Sequence, residues 1–161
     1  MTSSDFRIVH GRVAAERATR EFPIPKPSNA AAKLGLRYER KVGTELARHV
    51  AAEHFVRCEH NPWLTFHDAY GTNNCCPDFL LWCDIGIIVV EVKLSYVDVA
   101  LPKLQDLYIP VVSAAFGQSA IPLVICRNVN DRSPPAGLTL RSALVSPGRL
   151  LHWPNTGHIQ W

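Results

Sequence analysis

The 161-residue chain contains no apolar run approaching the roughly 20 residues that a bilayer-spanning helix needs. Its opening stretch, MTSSDFRIVHGRVAAERATR, lacks the apolar centre of a secretory signal, so the expectation is a soluble, cytoplasmic protein with no membrane partner. A regular cysteine framework is also missing. Cys58, Cys75, Cys76, Cys83 and Cys126 form an odd set, and the adjacent Cys75 and Cys76 are poorly placed to bridge each other, which favours reduced thiols. There is no strong charge excess either: a formal charge of +3 and a pI near 8.7 permit contact with a polyanion without implying it. Repeats and low-complexity tracts are absent, so the chain has to be built from unlike elements packed on one core.

What is present suffices for that core. With 47% hydrophobic and 19% charged residues, one domain is expected over residues 31–161, after an N-terminal arm of residues 1–30. Within the arm, RVAAERATR suits a short helix and FPIPKPSN, with three prolines, favours extended backbone.

From about residue 31 to 52, Tyr38, Val42, Leu46 and Val50 recur every four residues, the spacing of an amphipathic helix. Its other side carries Arg37, Arg40, Lys41 and Arg48, which can track phosphates or simply form a solvated basic face. Glu39 falls near the middle of the apolar stripe, so a carboxylate is aimed inward.

LTFHDAY then reads as a strand and GTNN as a turn, followed by strands over 76–83 and 86–94, three neighbours that would form a meander. DVALPKLQDLYIPVVSAAF suits a second helix with Asp98 as N-cap, Pro102 in the first turn, and Pro110 kinking or ending it. IPLVIC is a short buried strand, RNVNDRSPPAG a loop, and LTLRSALV a further strand or a strand followed by a turn. The order helix, three strands, helix, strand, strand points to an α/β sandwich with a central mixed sheet flanked by helices.

The chemistry is concentrated in CCPDFLLWCDIGIIVVEVK, residues 75–93. Side chains alternate along a strand, so Glu91 and Lys93 share one face and Val92 points away. An antiparallel pairing through the Asp84-Ile85-Gly86 connection brings Asp78 beside Glu91. Two neighbouring carboxylates repel, and a divalent cation resolves the conflict: Mg²⁺ favours one or two carboxylates, several waters and substrate phosphate oxygens. Such a cation polarises a phosphoryl oxygen and helps deprotonate water, while Lys93 can position that water or stabilise the phosphorane.

Pro77-Asp78, the stretch ending GIIVVEVK and the upstream GLRYERKVG together resemble the PD-(D/E)XK superfamily of restriction-endonuclease-like nucleases, over about residues 34–126. The resemblance implies a three-layer core of helix, three strands, helix and strand. It implies a Mg²⁺- or Mn²⁺-dependent nuclease acting on DNA, with Asp78, Glu91 and Lys93 catalytic and Asp78, Glu91 and the Val92 carbonyl on the metal. It also suggests Glu39 as a supporting acid. Gln105 and Tyr108 stand as QDLY, one residue shorter than the QxxxY of the exonuclease branch, yet both spacings keep one helical face, so Gln105 can still orient the site.

Other functions fit parts of the pattern. A catalytically silent nucleic-acid-binding or assembly subunit could retain the same fold, and an E-x-K triplet can be a salt-bridged strand end. Cys58, His60, His67, Cys75 and Cys76 are zinc-ligand types without paired CxxC spacing. Trp63, Trp82 and Trp153 read as core or rim. A homodimer would suit cleavage of both strands of a duplex, with the C-terminal LHWPNTGHIQW as an exposed contact.

Overall fold

In the computed structural model, which describes residues 7–161, a ten-residue strand at the centre organises everything else. This strand, β6 (Gly86–Ser95), is flanked by β5 (Phe79–Cys83) in antiparallel register and by β7 (Ala120–Asn128) in parallel register. β2 (Arg57–His60) pairs antiparallel with β5 and β8 (Leu150–His152) pairs parallel with β7, completing a mixed sheet in the order β2-β5-β6-β7-β8. A second, antiparallel sheet contains β1 (Ala14–Arg17), β3 (Leu64–Asp68) and β4 (Gly71–Cys75) in the order β1-β3-β4. The protein is therefore α/β, with a five-stranded and a three-stranded sheet.

Helix α1 (Ala30–Ala51) forms where the four-residue periodicity places it, and Asn29 caps it by accepting from the Ala32 N–H at 2.8 Å. Tyr38, Val42 and Leu46 are buried against Phe79, Leu81, Ile88, Val90 and Val92 on one face of the larger sheet. The opposite face, with Leu80, Trp82, Ile87 and Val89, packs with the helical segment after β6 and with Leu64 and Phe66 of β3. That segment comprises α2 (Ala100–Lys103), a π-helical turn (Leu104–Tyr108) and α3 (Ile109–Phe116).

Two features bring α1 and the β5-β6 hairpin into place. Gly43 lies so close to the Phe79 ring that a Cβ there would sit 3.1 Å from it, which lets the helix approach the start of β5. Gly86, at φ +135, closes the two-residue Asp84-Ile85 turn with its α-carbon against Ser119, a position no side chain can share.

Several expectations are corrected. LTFHD is not part of the central meander; it pairs with β1 and β4, and the third antiparallel strand is β2, whose sequence RCEH has no apolar pattern because it lies at the sheet edge. GTNN is strand rather than turn, its polar side chains held by the ladder and by a Thr65 hydroxyl donating to Asn74 at 2.7 Å. RVAAERATR supplies β1 instead of a helix, since pairing with β3 outweighs the local propensity of the alanines. LTLRSALV yields α4 (Leu140–Leu144), not a strand: Thr139 and Ser142 form a reciprocal cap of the T-x-x-S type. Asp98 does not cap the second helical segment, which starts after Val99 without a side-chain cap.

Pro102 lies in the first turn of that segment, as expected, and Pro110 does not end it. The chain instead widens into the π-helical turn, with the Ile109 N–H bonded to the Leu104 carbonyl. The Asp106 carbonyl, which would receive an N–H from residue 110 in an α-helix, accepts one from Val9 of the N-terminal arm at 3.0 Å. The C-terminal segment is also more internal than expected: Leu151, Trp153 and Ile159 are buried, and the Tyr38 hydroxyl donates to the Trp153 carbonyl at 2.8 Å. Among the described residues, no helix is long and apolar enough to cross a membrane.

Candidate metal and catalytic site

β6 outlasts β5 on one side. Their register runs from Cys83↔Gly86 to Phe79↔Val90, so Asp78, immediately before β5, stands opposite Glu91 on the same face. Beyond that point the antiparallel ladder stops, and the Asp78 carboxylate takes over its role by accepting the Val92 N–H at 2.6 Å. The Asp78 carbonyl accepts from Asn61 N–H at 2.9 Å. A carboxylate used this way is fixed against the backbone of the strand that carries Glu91 and Lys93.

Glu91 is 1% exposed. One of its oxygens, Oε1, accepts from Lys93 Nζ at 2.7 Å and from Lys103 Nζ at 3.0 Å, while the other, Oε2, is buried without a hydrogen-bond partner among the described residues. An orphaned carboxylate oxygen is costly unless something else meets it. Asp78 suffers from the same surroundings: burial, then the neighbouring Glu91 and Glu39 charges, push its carboxyl well above the usual carboxylate range, against the pull of the Val92 N–H and Lys93. Burial disfavours the charge on Lys93, but the adjoining Glu91 carboxylate outweighs it and lifts the ammonium above its ordinary value.

Glu39 reaches this end of the sheet from α1. Half-buried, as its place in the apolar stripe predicts, it hydrogen-bonds His60 Nε2 at 2.6 Å, and His60 stacks on Phe79 with ring centroids 4.6 Å apart. Glu39 and Asp78 line two adjoining clefts, of about 530 Å³ and about 380 Å³. Val92 and Lys93 line the second of these and Arg40 the first.

Other candidates fall elsewhere. Gln105 is exposed on the π-helical turn and has no hydrogen bond to the cluster; Lys103, two residues earlier, reaches Glu91 instead. Tyr108 is buried, with its hydroxyl donating to the Cys76 carbonyl at 3.1 Å, so it supports the loop ahead of Asp78. Arg37 and Lys41 are exposed on α1 outside both clefts. Arg48 is tied to Glu45 and, at 2.7 Å, to the Ile159 carbonyl. The zinc-type residues disperse: His60 is bonded to Glu39, His67 to Thr72, and all five cysteines are free.

Sequence reasoning missed Lys103, and named His60 only as a zinc-ligand type, not as the partner of Glu39. Lys103 borders the buried stripe of Leu104, Leu107 and Val111, so a basic residue at the edge of an apolar face was an available signal. The pairing of His60 with Glu39 had no such signal, because the strand that carries His60 was not recognisable.

A hard divalent cation fits this arrangement. Asp78 and the free oxygen of Glu91 are oxygen donors of the kind such a cation takes, with Glu39 near enough to add to the field. Among the described residues, no group of three or more His, Cys, Asp or Glu side chains is placed to hold a metal ion, so a cation held here would rest on two carboxylates and keep much of its water.

No protein-family model and no curated protein matches the chain. It is similar to a solved structure described as protein VC1899 from Vibrio cholerae, at 14% identity and a TM-score of 0.41, over 62% of this chain and 27% of that one. The chain thus spans about a quarter of that protein. The functional reading rests on the residues described above.

Proposed function

We propose that the protein is a Mg²⁺- or Mn²⁺-dependent nuclease that hydrolyses phosphodiester bonds in DNA, with a restriction-endonuclease-like core. The observation that carries this reading is the buried, unpartnered Glu91 Oε2 beside an Asp78 whose charge its surroundings disfavour. Support for the core comes from element order: α1, the antiparallel strands β2, β5 and β6, a helical segment, then β7 parallel to β6.

Asp78 and Glu91 would hold the cation, which when bound supplies Lewis-acid polarisation of the phosphate and a more acidic water. Lys93, hydrogen-bonded to Glu91 and lining the second cleft, orients the attacking water and meets negative charge developing on the phosphoryl oxygens. Lys103 holds Glu91 from the helical side. Glu39 keeps His60 in place and adds negative potential that favours the cation. Arg40 is the residue of α1 placed to meet a substrate phosphate.

The test is cleavage of labelled DNA with and without Mg²⁺ or Mn²⁺, in wild type and Lys93→Ala. Metal-dependent cleavage that disappears in the variant is the expected result; equal cleavage in both rejects the assignment. One observation favours a second reading, a silent DNA-binding or assembly subunit: two ammonium groups already pair with Glu91 Oε1, as in a structural salt-bridge cluster. Tight DNA binding without cleavage under any metal would select it.

A further inference from the structure

The N-terminal arm borders the candidate site. Ala18 is anchored by its N–H to the Trp63 carbonyl at 3.0 Å, the Phe22 ring lies 4.9 Å from the Trp63 ring, and Asn29 is fixed as the α1 cap. Between these anchors, Pro23, Pro25 and Pro27 have no N–H, and the stretch has no regular secondary structure and is largely exposed. Ile24, Pro25 and Pro27 line both clefts that contain Glu39 and Asp78. This proline segment therefore forms a strap bordering two lobes that share Glu39 and Asp78 and are each of small-ligand size.

The lobes differ in lining. The larger has Trp63 and His60 as flat faces, with Lys26 of the strap and Arg40 of α1 as cations. The smaller is aliphatic, walled by Ile24, Leu36 and Leu94, with Lys93 inside. A flat aromatic face with flanking cations suits an unpaired base and its phosphate. A base-paired nucleotide cannot enter such a lobe without leaving its stack.

Resting on the nuclease reading, we propose that the substrate is single-stranded DNA or the single-stranded end of a duplex, threaded beneath the Pro23–Pro27 strap with a base against Trp63 in the lobe upstream of Asp78. The strap excludes intact duplex from Asp78 and Glu91, and Trp63 is a positioning residue for the strand.

The test has two arms. In the first, wild-type protein with Mg²⁺ or Mn²⁺ is given one DNA sequence as a single strand, a blunt duplex and a duplex with an overhang. Single strand and overhang are expected to be cut at least about tenfold faster than the blunt duplex interior, and Pro25→Gly with Pro27→Gly is expected to narrow that ratio by loosening the strap. Equal cutting of the blunt duplex interior by wild type overturns the proposal.

The second arm measures metal-free binding of a fluorescent oligonucleotide by Asp78→Asn protein, so it does not depend on turnover. Single strand is expected to bind more tightly than duplex, with Trp63→Ala weakening it by about tenfold and Trp63→Phe restoring most of the loss. Unchanged affinity in Trp63→Ala, with an unchanged melting temperature, overturns the proposal, as does equal affinity for duplex. If no substrate is cut under any metal, the nuclease reading falls, and this binding comparison still decides the strand preference.

Discussion

Two buried glutamates show opposite uses of the same side chain. Glu45, on α1, is fully answered: Oε1 meets His158 Nδ1 at 2.9 Å, and Oε2 accepts from the Ile159 N–H at 2.9 Å and from Arg48. Burial works against its charge, but these three partners hold the carboxyl below its ordinary value. Glu91, on β6, has two ammoniums crowded onto one oxygen and nothing on the other, beside a second acid whose charge is disfavoured. The first arrangement is complete and fastens the C-terminal segment to α1. The second, on the proposed reading, is completed by a cation and a substrate. Charge and burial are common to both glutamates; what differs is whether each carboxylate oxygen has a partner.

The sharpest way to break this comparison is at Asp78 and Lys93. Asp78→Ala and Lys93→Ala are each expected to lower metal-dependent DNA cleavage by on the order of 10³-fold while leaving the melting temperature within a few degrees. A loss of folding as large as the loss of activity, read from thermal melts beside cleavage rates, would make both glutamates structural. Glu45→Ala should behave the other way. It leaves Arg48 and the Ile159 N–H without their acceptor, and unfolding in urea is expected to show a loss of about 2–3 kcal/mol. Activity per folded molecule should be nearly unchanged.

The pH dependence of stability separates the two acids by sign. An acid whose folded value is raised lets the unfolded chain release its proton first, so metal-free stability falls as pH rises from the ordinary carboxylate range through the raised Asp78 value. Asp78→Asn should abolish that fall, and saturating Mg²⁺ should offset it in wild type. Glu45, with its value lowered, contributes stability that is present above the ordinary carboxylate range and is lost as pH drops through the lowered value. His49 adds to the acid side: burial lowers its value, so protonation of the unfolded chain below about pH 6.5 draws the protein toward unfolding. Its ring is held between the Ile159 carbonyl at 2.8 Å and His54 Nδ1 at 2.8 Å, and protonation of both rings breaks the His–His bond. Melting temperatures across pH 4 to 9 with and without Mg²⁺ check all three.

The smallest effects belong to the exposed cations of α1. Arg37→Ala and Lys41→Ala are expected to change stability by no more than about 0.5 kcal/mol. Arg40→Ala, at the cleft, should weaken DNA binding more than either and flatten its salt dependence by about one charge. Equal effects at the three positions would mean that the basic face acts as a diffuse field.

Long, strongly patterned elements were legible in the sequence, and edges were not. α1, β5, β6 and β7 lie where periodicity or apolar runs placed them, because each buries a face large enough to mark the text. β2 and β4 are polar edge or loop-like sequences that become strands only because a neighbour offers its unpaired backbone. The same division runs through the site. The opposition of Asp78 and Glu91, and the shared face of Glu91 and Lys93, follow from strand alternation and a tight turn, both local rules. Lys103, His60 and the strap come from elements whose positions depend on packing across the sheet.

By itself, the order of residues determined which side chains alternate on β6, where α1 presents its apolar stripe, and that an acid stands inside that stripe. These outcomes depend on backbone geometry that repeats every two or 3.6 residues. Tertiary structure alone decided that Glu91 keeps one oxygen unpaired among the described residues, that Glu45 is fully engaged, and that Pro25 and Pro27 share clefts with Asp78. Each depends on which groups from distant segments arrive at the same buried point, and no local period encodes that meeting.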